Sequence, residues 1–156
     1  MNASELVPIC IASTQQTLSM MAATETVVKN INIIDEKRTW GDVTGFLGLA
    51  GSGCRGNFTI SFSESALLAI VSKLLMEEFT ELNEDVIDAV GELTNMISGA
   101  VKKALLDAHF QIEMSTPVII QGRNIPLSQG ARGDVQQICF ETGAGNFVVE
   151  VSFSTD

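Results

Sequence analysis

The chain has 156 residues, 46% of them hydrophobic, and carries nine Lys and Arg against nineteen Asp and Glu, for a formal charge of −10. Length and apolar content suit a single domain over residues 1–156 with a core that needs no staples, and the charge argues against a nucleic-acid backbone or an anionic membrane surface while favouring a partner with a basic patch. Cys10, Cys54 and Cys139 lack CxxC spacing, which argues against a disulfide framework or zinc site. No apolar run approaches the roughly 20 residues of a membrane span, and no signal-peptide pattern opens the chain, so the expectation is a reducing, cytoplasmic protein.

Ser4 to Met21 reads as a helix, with Leu6, Ile9, Cys10, Ser13, Thr17 and Met20 at helical spacing and Pro8 early enough to be tolerated. Thr26 to Ile34, rich in Val and Ile, reads as a strand, followed by a charged turn at Asp35 to Lys37 and the only tryptophan, Trp40, as a core or rim anchor. Val43 to Leu49 and Asn57 to Phe62 read as a hairpin about a turn at Gly51 to Gly53. Ser63 is placed to cap a mostly buried helix reaching about Met76, with Ala66, Ala69, Ile70, Lys73 and Leu74 on its inner side.

The longest helical pattern runs from Asn83 to Asp107, without proline. Val86, Val90, Leu93, Ile97, Val101 and Ala104 form one apolar stripe, Asn83 is the candidate N-cap, and Glu84 and Asp85 complement the dipole at the start. At 100° per residue, Asp88, Glu92, Asn95 and Gly99 share the opposite face. Pro117 to Ile120 then reads as a short strand, Gly122 to Gly133 as an exposed loop, and Val135 to Phe140 and Phe147 to Phe153 as strands joined by a turn at Gly143 to Asn146. Strands in runs broken by helices predict an α+β domain, with a largely antiparallel sheet and helices on one face.

The halves echo one another: GNFTISFS at Gly56 to Ser63 parallels GNFVVEVSFS at Gly145 to Ser154, each after a glycine turn. The same alignment sets the first helix on the long one, Glu5 against Glu92 and Pro8 against Asn95, giving pseudo-duplicated α-β-β-β halves.

The sequence holds no GxSxG elbow, P-loop, HExxH or Rossmann fingerprint, and its single histidine, His109, excludes a His-based metal cluster. His109 is expected to cap or pack at the helix end, Cys10 and Cys139 to be small buried hydrophobes, and Cys54 to end a strand. Glu92 and Asn95 remain, with two readings. They belong to a solvated polar face, since ExxN arises easily by chance; or a rigid helix presents a carboxylate to a cationic partner group and an amide that holds a water through both donor and acceptor. Orienting water in line with an activated phosphoryl group needs no nucleophile from the protein. Gly99, one turn on, lets a partner backbone approach.

The run DAVGELTNMISGAVKKAL, with Pro117 twenty-two positions after Asn95, resembles the signature of the CheC, CheX and FliY phosphatases of bacterial chemotaxis. Asp88, Glu92, Asn95 and Pro117 occupy that signature. SELVPICIAS and GDVTGFLGLAGSGCRGNFTISFSESA also resemble the opening helix and first hairpin of CheX-type members, and one ExxN, with Pro8 where a second Asn would sit, matches that type. Ala100 and Val101 depart from the Asn and Ala common before Lys102.

The resemblance implies a phosphatase acting on the aspartyl phosphate of a CheY-type response regulator. Glu92 would engage the regulator's lysine, Asn95 position the attacking water, and Gly99 lie at the contact, while Asp88 and Pro117 support the site. It implies no cofactor or metal in this chain, magnesium in the regulator's own site, and a homodimer associating through its sheets. The alternative is a noncatalytic regulator-binding module or adaptor of the same fold.

Overall fold

The computed structural model describes residues 2–51, 53–127 and 134–155. In chain order the elements are α1 (Ala3–Ala22), β1 (Val27–Ile34), β2 (Val43–Gly51), β3 (Cys54–Phe62), α2 (Glu64–Leu74), α3 (Glu84–Asp107), β4 (Ile112–Met114), β5 (Val118–Gln121), β6 (Val135–Glu141) and β7 (Asn146–Thr155). Each helix begins where a short polar side chain takes a backbone donor of the first turn: Asn2 accepts from Glu5 N at 3.2 Å, Ser63 from Ala66 N at 3.3 Å and Asn83 from Val86 N at 3.0 Å.

The strands form one seven-stranded antiparallel sheet in the order β1-β6-β7-β3-β2-β4, with β5 also pairing β2. If β1, β2 and β3 are set against the β4–β5 pair, β6 and β7, this order reads the same from either edge. The two GNF strands, β3 and β7, meet at its middle. The predicted α+β class and duplicated halves are therefore present, with α2 standing between the halves. Alternate residues of the central strands, including Phe58, Ile60, Phe62, Phe147, Val149 and Val151, turn into a core shared with Leu6 and Leu18 of α1, Ile70 of α2 and Leu93 and Ile97 of α3. Each fully buried side chain of this size contributes roughly 1.5–3 kcal/mol. Phe147 stacks on Phe140 with ring centroids 4.9 Å apart and tilts against Phe62 at 5.5 Å.

The residues between these core positions are polar, yet also buried. Asn57 Oδ1 accepts from Lys37 Nζ at 2.8 Å and Ser152 Oγ at 3.0 Å, and Glu150 accepts from Gln137 Nε2 at 2.7 Å and Thr59 Oγ1 at 3.3 Å. Two connectors are strapped together here: Thr39 N donates to Ile125 O at 3.0 Å, Asn124 N to Thr39 O at 2.8 Å, and Arg123 holds Asp42 at 2.8 and 3.0 Å. The Arg123 guanidinium keeps the Asp42 carboxyl below its ordinary value.

Several expectations are corrected. Lys37, placed in the charged turn by the sequence, lies just past the bend and is only 2% exposed. Desolvation lowers its pKa from 10.5 to about 8, against the opposing pull of Glu150. The expected loop does hold over residues 122–127, which are irregular with Arg123, Asn124 and Pro126 exposed, and it is tied down by the bonds to Thr39 and by Leu127 N donating to Lys37 O at 2.9 Å; residues 128–133 lie outside those described. The strand β4 was not anticipated, since it has three residues, of which Ile112 alone is buried. The hairpin strands run further than expected, to Gly51 and from Cys54, around Gly53 with φ 72°. The inner face of α1 is also displaced: Leu18 and Thr14 are buried, whereas Met20 is 74% exposed. In α2 the buried positions are Ala66, Leu67, Ile70 and Val71, and Lys73 is exposed. Cys139 is half-buried rather than buried, while Cys10 is fully enclosed.

Candidate active site

The helix α3 is amphipathic because its apolar side chains recur every three or four residues, and Val86, Val90, Leu93, Ile97, Val101 and Leu105 are all buried. Ala104, expected in that stripe, is half-buried, and Leu105 completes it. The height of α3 above the sheet is set at Gly45 of β2, where an added Cβ would collide with Thr94 Oγ1. Thr94 is fully buried and returns its hydroxyl to Val90 O at 2.6 Å. Further toward the sheet edge, Gly91 stands over Ile119 of β5, a Cβ there lying 3.4 Å from its side chain.

With the inner face held in this way, Asp88, Glu92, Asn95 and Gly99 are brought together on the outer face, all exposed. Among the described residues, no side chain hydrogen-bonds or pairs with the Glu92 carboxylate or the Asn95 amide; only the backbone carbonyl of Asn95 is engaged, accepting from Ser98 Oγ at 3.3 Å. Both groups are free to meet something from outside. A Cβ at Gly99 would meet nothing within 4 Å, so the surface there is open to a partner backbone. Asp88 likewise has no side-chain partner among the described residues. Pro117 is half-buried in the break between β4 and β5, where Ser115 bridges back to β2 by accepting from Gly48 N at 2.8 Å. Proline, lacking an N–H, suits such a break.

Other residues singled out in the sequence lie elsewhere. Glu5 and Pro8 are exposed on α1. His109 is exposed just past α3 with φ 63°, its backbone N donating to Leu106 O at 2.9 Å. Lys102 pairs with Glu113 at 3.5 Å. Trp40 is half-buried beside a polar hollow lined also by Arg38, Arg123 and Glu150. Among the described residues, no three His, Cys, Asp or Glu side chains group as a metal site, and no helix is long and apolar enough to cross a membrane.

A feature the sequence reading missed adjoins the outer face of α3. A groove of about 780 Å³ separates α1 from α3, walled by Pro8, Met20 and Met21 on one side and Met96, Ala100 and Lys103 on the other. The signal was the pair Met20–Met21 at a helix end, with Met20 counted as an inner residue.

Residues 43–141 match the family described as chemotaxis phosphatase CheX. The CheY-P phosphatase CheX of Thermotoga maritima is 29% identical over 82 residues, 52% of this chain and 52% of that protein, so the match spans about half the length of that relative. The crystal structure of a CheC-like superfamily protein from Shewanella sp. PV-4 superposes with a TM-score of 0.88 at 30% identity, covering 99% of each chain. Chemotaxis protein CheX from Vibrio vulnificus gives a TM-score of 0.87 at 33% identity, over 96% of this chain and 99% of that one. The duplicated antiparallel sheet with its long central helix is thus set within a known group, and the chain belongs to the CheX family of chemotaxis phosphatases.

Proposed function

We propose that this chain, acting as one domain over residues 1–156, hydrolyses the aspartyl phosphate of a CheY-type response regulator and so ends a chemotaxis signal. The observation that carries the reading is the exposed pair Glu92 and Asn95, one turn apart on a helix locked to the sheet, with both side chains uncommitted among the described residues. The name of the Thermotoga maritima relative, a CheY-P phosphatase, supports the same substrate.

An acyl phosphate is already activated, so the enzyme need only bring water into line with it. Glu92 engages the regulator's active-site lysine and fixes the orientation of the complex. Asn95 offers one carbonyl oxygen and one NH2 group, which lets a single side chain hold a water by both its proton and its lone pair. Fixing reactants in this way accounts for barrier reductions of up to about 7–11 kcal/mol when alignment is complete. Gly99 leaves room for the regulator's backbone, and Asp88 and Pro117 support the helix and its neighbouring strand. Magnesium belongs to the regulator's own site, where it neutralises phosphoryl charge, and this chain contributes no metal or cofactor.

The protein works in the cytoplasm and as a homodimer associating through its sheets, which protects a strand edge. The edge strand β1 supports this, since eight residues long it leaves Val27 64%, Ile31 46% and Ile33 62% exposed. Sedimentation showing only monomer at tens of micromolar, roughly the range of weak association, would count against the dimer.

The deciding experiment follows phosphate loss from purified, prephosphorylated CheY with magnesium, comparing this protein with Asn95→Ala. Acceleration by the unaltered protein alone, with regulator binding retained in the variant, is the expected result. Binding without acceleration, across several regulators, would replace the phosphatase with a noncatalytic binding module. Glu92→Ala is expected to weaken productive binding as well as turnover.

A further inference from the structure

The connectors and strand directions fix how the groove between α1 and α3 relates to the catalytic pair. Five antiparallel steps separate β1 from β5, so those strands run oppositely, and α1 and α3, each turning back through a short connector, run oppositely too. The C-terminal residues of α1, Met20 and Met21, therefore lie toward the middle of α3, where Met96 forms the facing wall. Met96 follows Asn95 directly and stands one turn beyond Glu92; Ala100 follows Gly99 in the same way. The groove is thus continuous with the catalytic face.

Two side chains on one helix are far smaller than a specific contact, which covers about 800 Å² on each partner. At the phosphate itself electrostatics does not make up the difference, because a chain of net charge −10 approaches a phosphorylated carboxylate there. Apolar burial beside the pair supplies affinity, and among the described residues this groove offers an exposed apolar surface adjoining it, with Met20 74% and Met21 52% exposed. Methionine suits the purpose, since its unbranched thioether adapts to an incoming surface at low strain.

We propose that the groove between α1 and α3 is a docking surface for the phosphorylated regulator, receiving an apolar segment next to its phosphorylation site while Glu92 and Asn95 reach the phosphate. This rests on the phosphatase reading above. Lys103, on the groove wall, gives that segment a cationic neighbour.

The test is steady-state dephosphorylation of the regulator by Met20→Glu, with Met20→Leu as the conservative control and Ala12→Glu as an independent change in the same groove. The expected result is a KM raised about ten-fold or more in both Glu variants, with kcat kept within about two-fold and Met20→Leu near the original. Because both sites are exposed, thermal unfolding should be little changed; should one variant fail to fold, the other decides. Unchanged KM in a Glu variant that folds, with the unaltered protein active, overturns the groove as a docking surface and leaves the phosphatase reading intact. Unchanged KM accompanied by a shift in sedimentation identifies a second copy of this chain as the occupant and also overturns it. No turnover by the unaltered protein overturns the phosphatase reading, and this inference with it.

Discussion

The helices α1 and α3 pack side by side on one face of the sheet, and each is opened by an asparagine whose side chain takes a first-turn backbone donor. Aligned by the repeat, each shows an exposed glutamate three residues before the position of greatest difference, Pro8 in α1 and Asn95 in α3. Proline removes a backbone donor and offers only a ring; asparagine keeps the helix bonded and adds an amide that can hold water. Their surroundings differ as well. The carboxylate of α3 lies in mid-helix over a tight contact with the sheet, whereas Glu5 lies in the first turn of α1, where helix ends fray. Duplication preserved the frame, and a reactive face needs both the amide and a fixed height above the sheet.

The largest expected break in this contrast is Asn95→Ala, which should lower turnover about 100-fold or more while leaving regulator affinity within about two-fold, as read by phosphate release and by titration. The reverse change, Pro8→Asn, should create no second centre, so that Pro8→Asn combined with Asn95→Ala remains inactive. Activity in that double variant would show that the amide alone makes the site.

The fixed height is tested next. Gly45→Ala should push Thr94 and α3 outward, costing about 1–3 kcal/mol of stability by denaturant unfolding and up to about 100-fold in turnover. Thr94→Ala in the same chain should recover part of both, a coupling that a double-mutant cycle measures. Pro8→Ala should act on stability alone, raising it by about 1–3 kcal/mol, since a proline past the first turn lacks the bond to the preceding turn, with kcat unchanged.

The smallest effect contrasts the two connectors. That of the first half sinks Lys37 beneath the strap, and that of the second sends Arg123 to the surface pair with Asp42. Because Lys37 is lowered to about 8 from 10.5, the unfolded chain binds a proton that the folded chain has shed between those values. Stability therefore rises with pH there, at up to about 1.4 kcal/mol per unit. Cys10, raised by burial from 9.0 to about 12, opposes this above pH 9, where the unfolded thiol ionises first. Denaturant unfolding from about pH 7.5 to 9.5 should show a rise confined to roughly pH 8–9, extended upward in Cys10→Ala and absent in Lys37→Met.

Much of this was legible in the sequence. The period and caps of α3 fix its bounds and its outer face without reference to anything distant, and the repeated GNF strands foretold the symmetric sheet. Lys37 was not legible, because its ammonium is buried against Asn57 and over the Phe46 ring, with Glu150 of β7 more than a hundred positions away, groups that only the assembled sheet brings to it; Thr39, two residues on, bonds Gly122 at a separation of 83. Nor was the inner face of α1, which touches α2, α3 and the sheet at once and so lacks a single stripe. The strand β4 exists because β2 is long enough to take two short partners in succession, a property of β2 rather than of residues 112–114.

The central place of β7 also governs how the chain reaches its fold. It is the last strand in sequence, yet it joins β6 to β3, and its contact between Glu150 and Thr59 spans 91 positions. Until it arrives, β1 and β6 form one fragment and β2, β3 and their short partners another, each with an open edge. Synthesis from the N-terminus thus leaves the core unsealed until β7 emerges. Loss of β7 is therefore expected to cost the whole sheet rather than one strand of it.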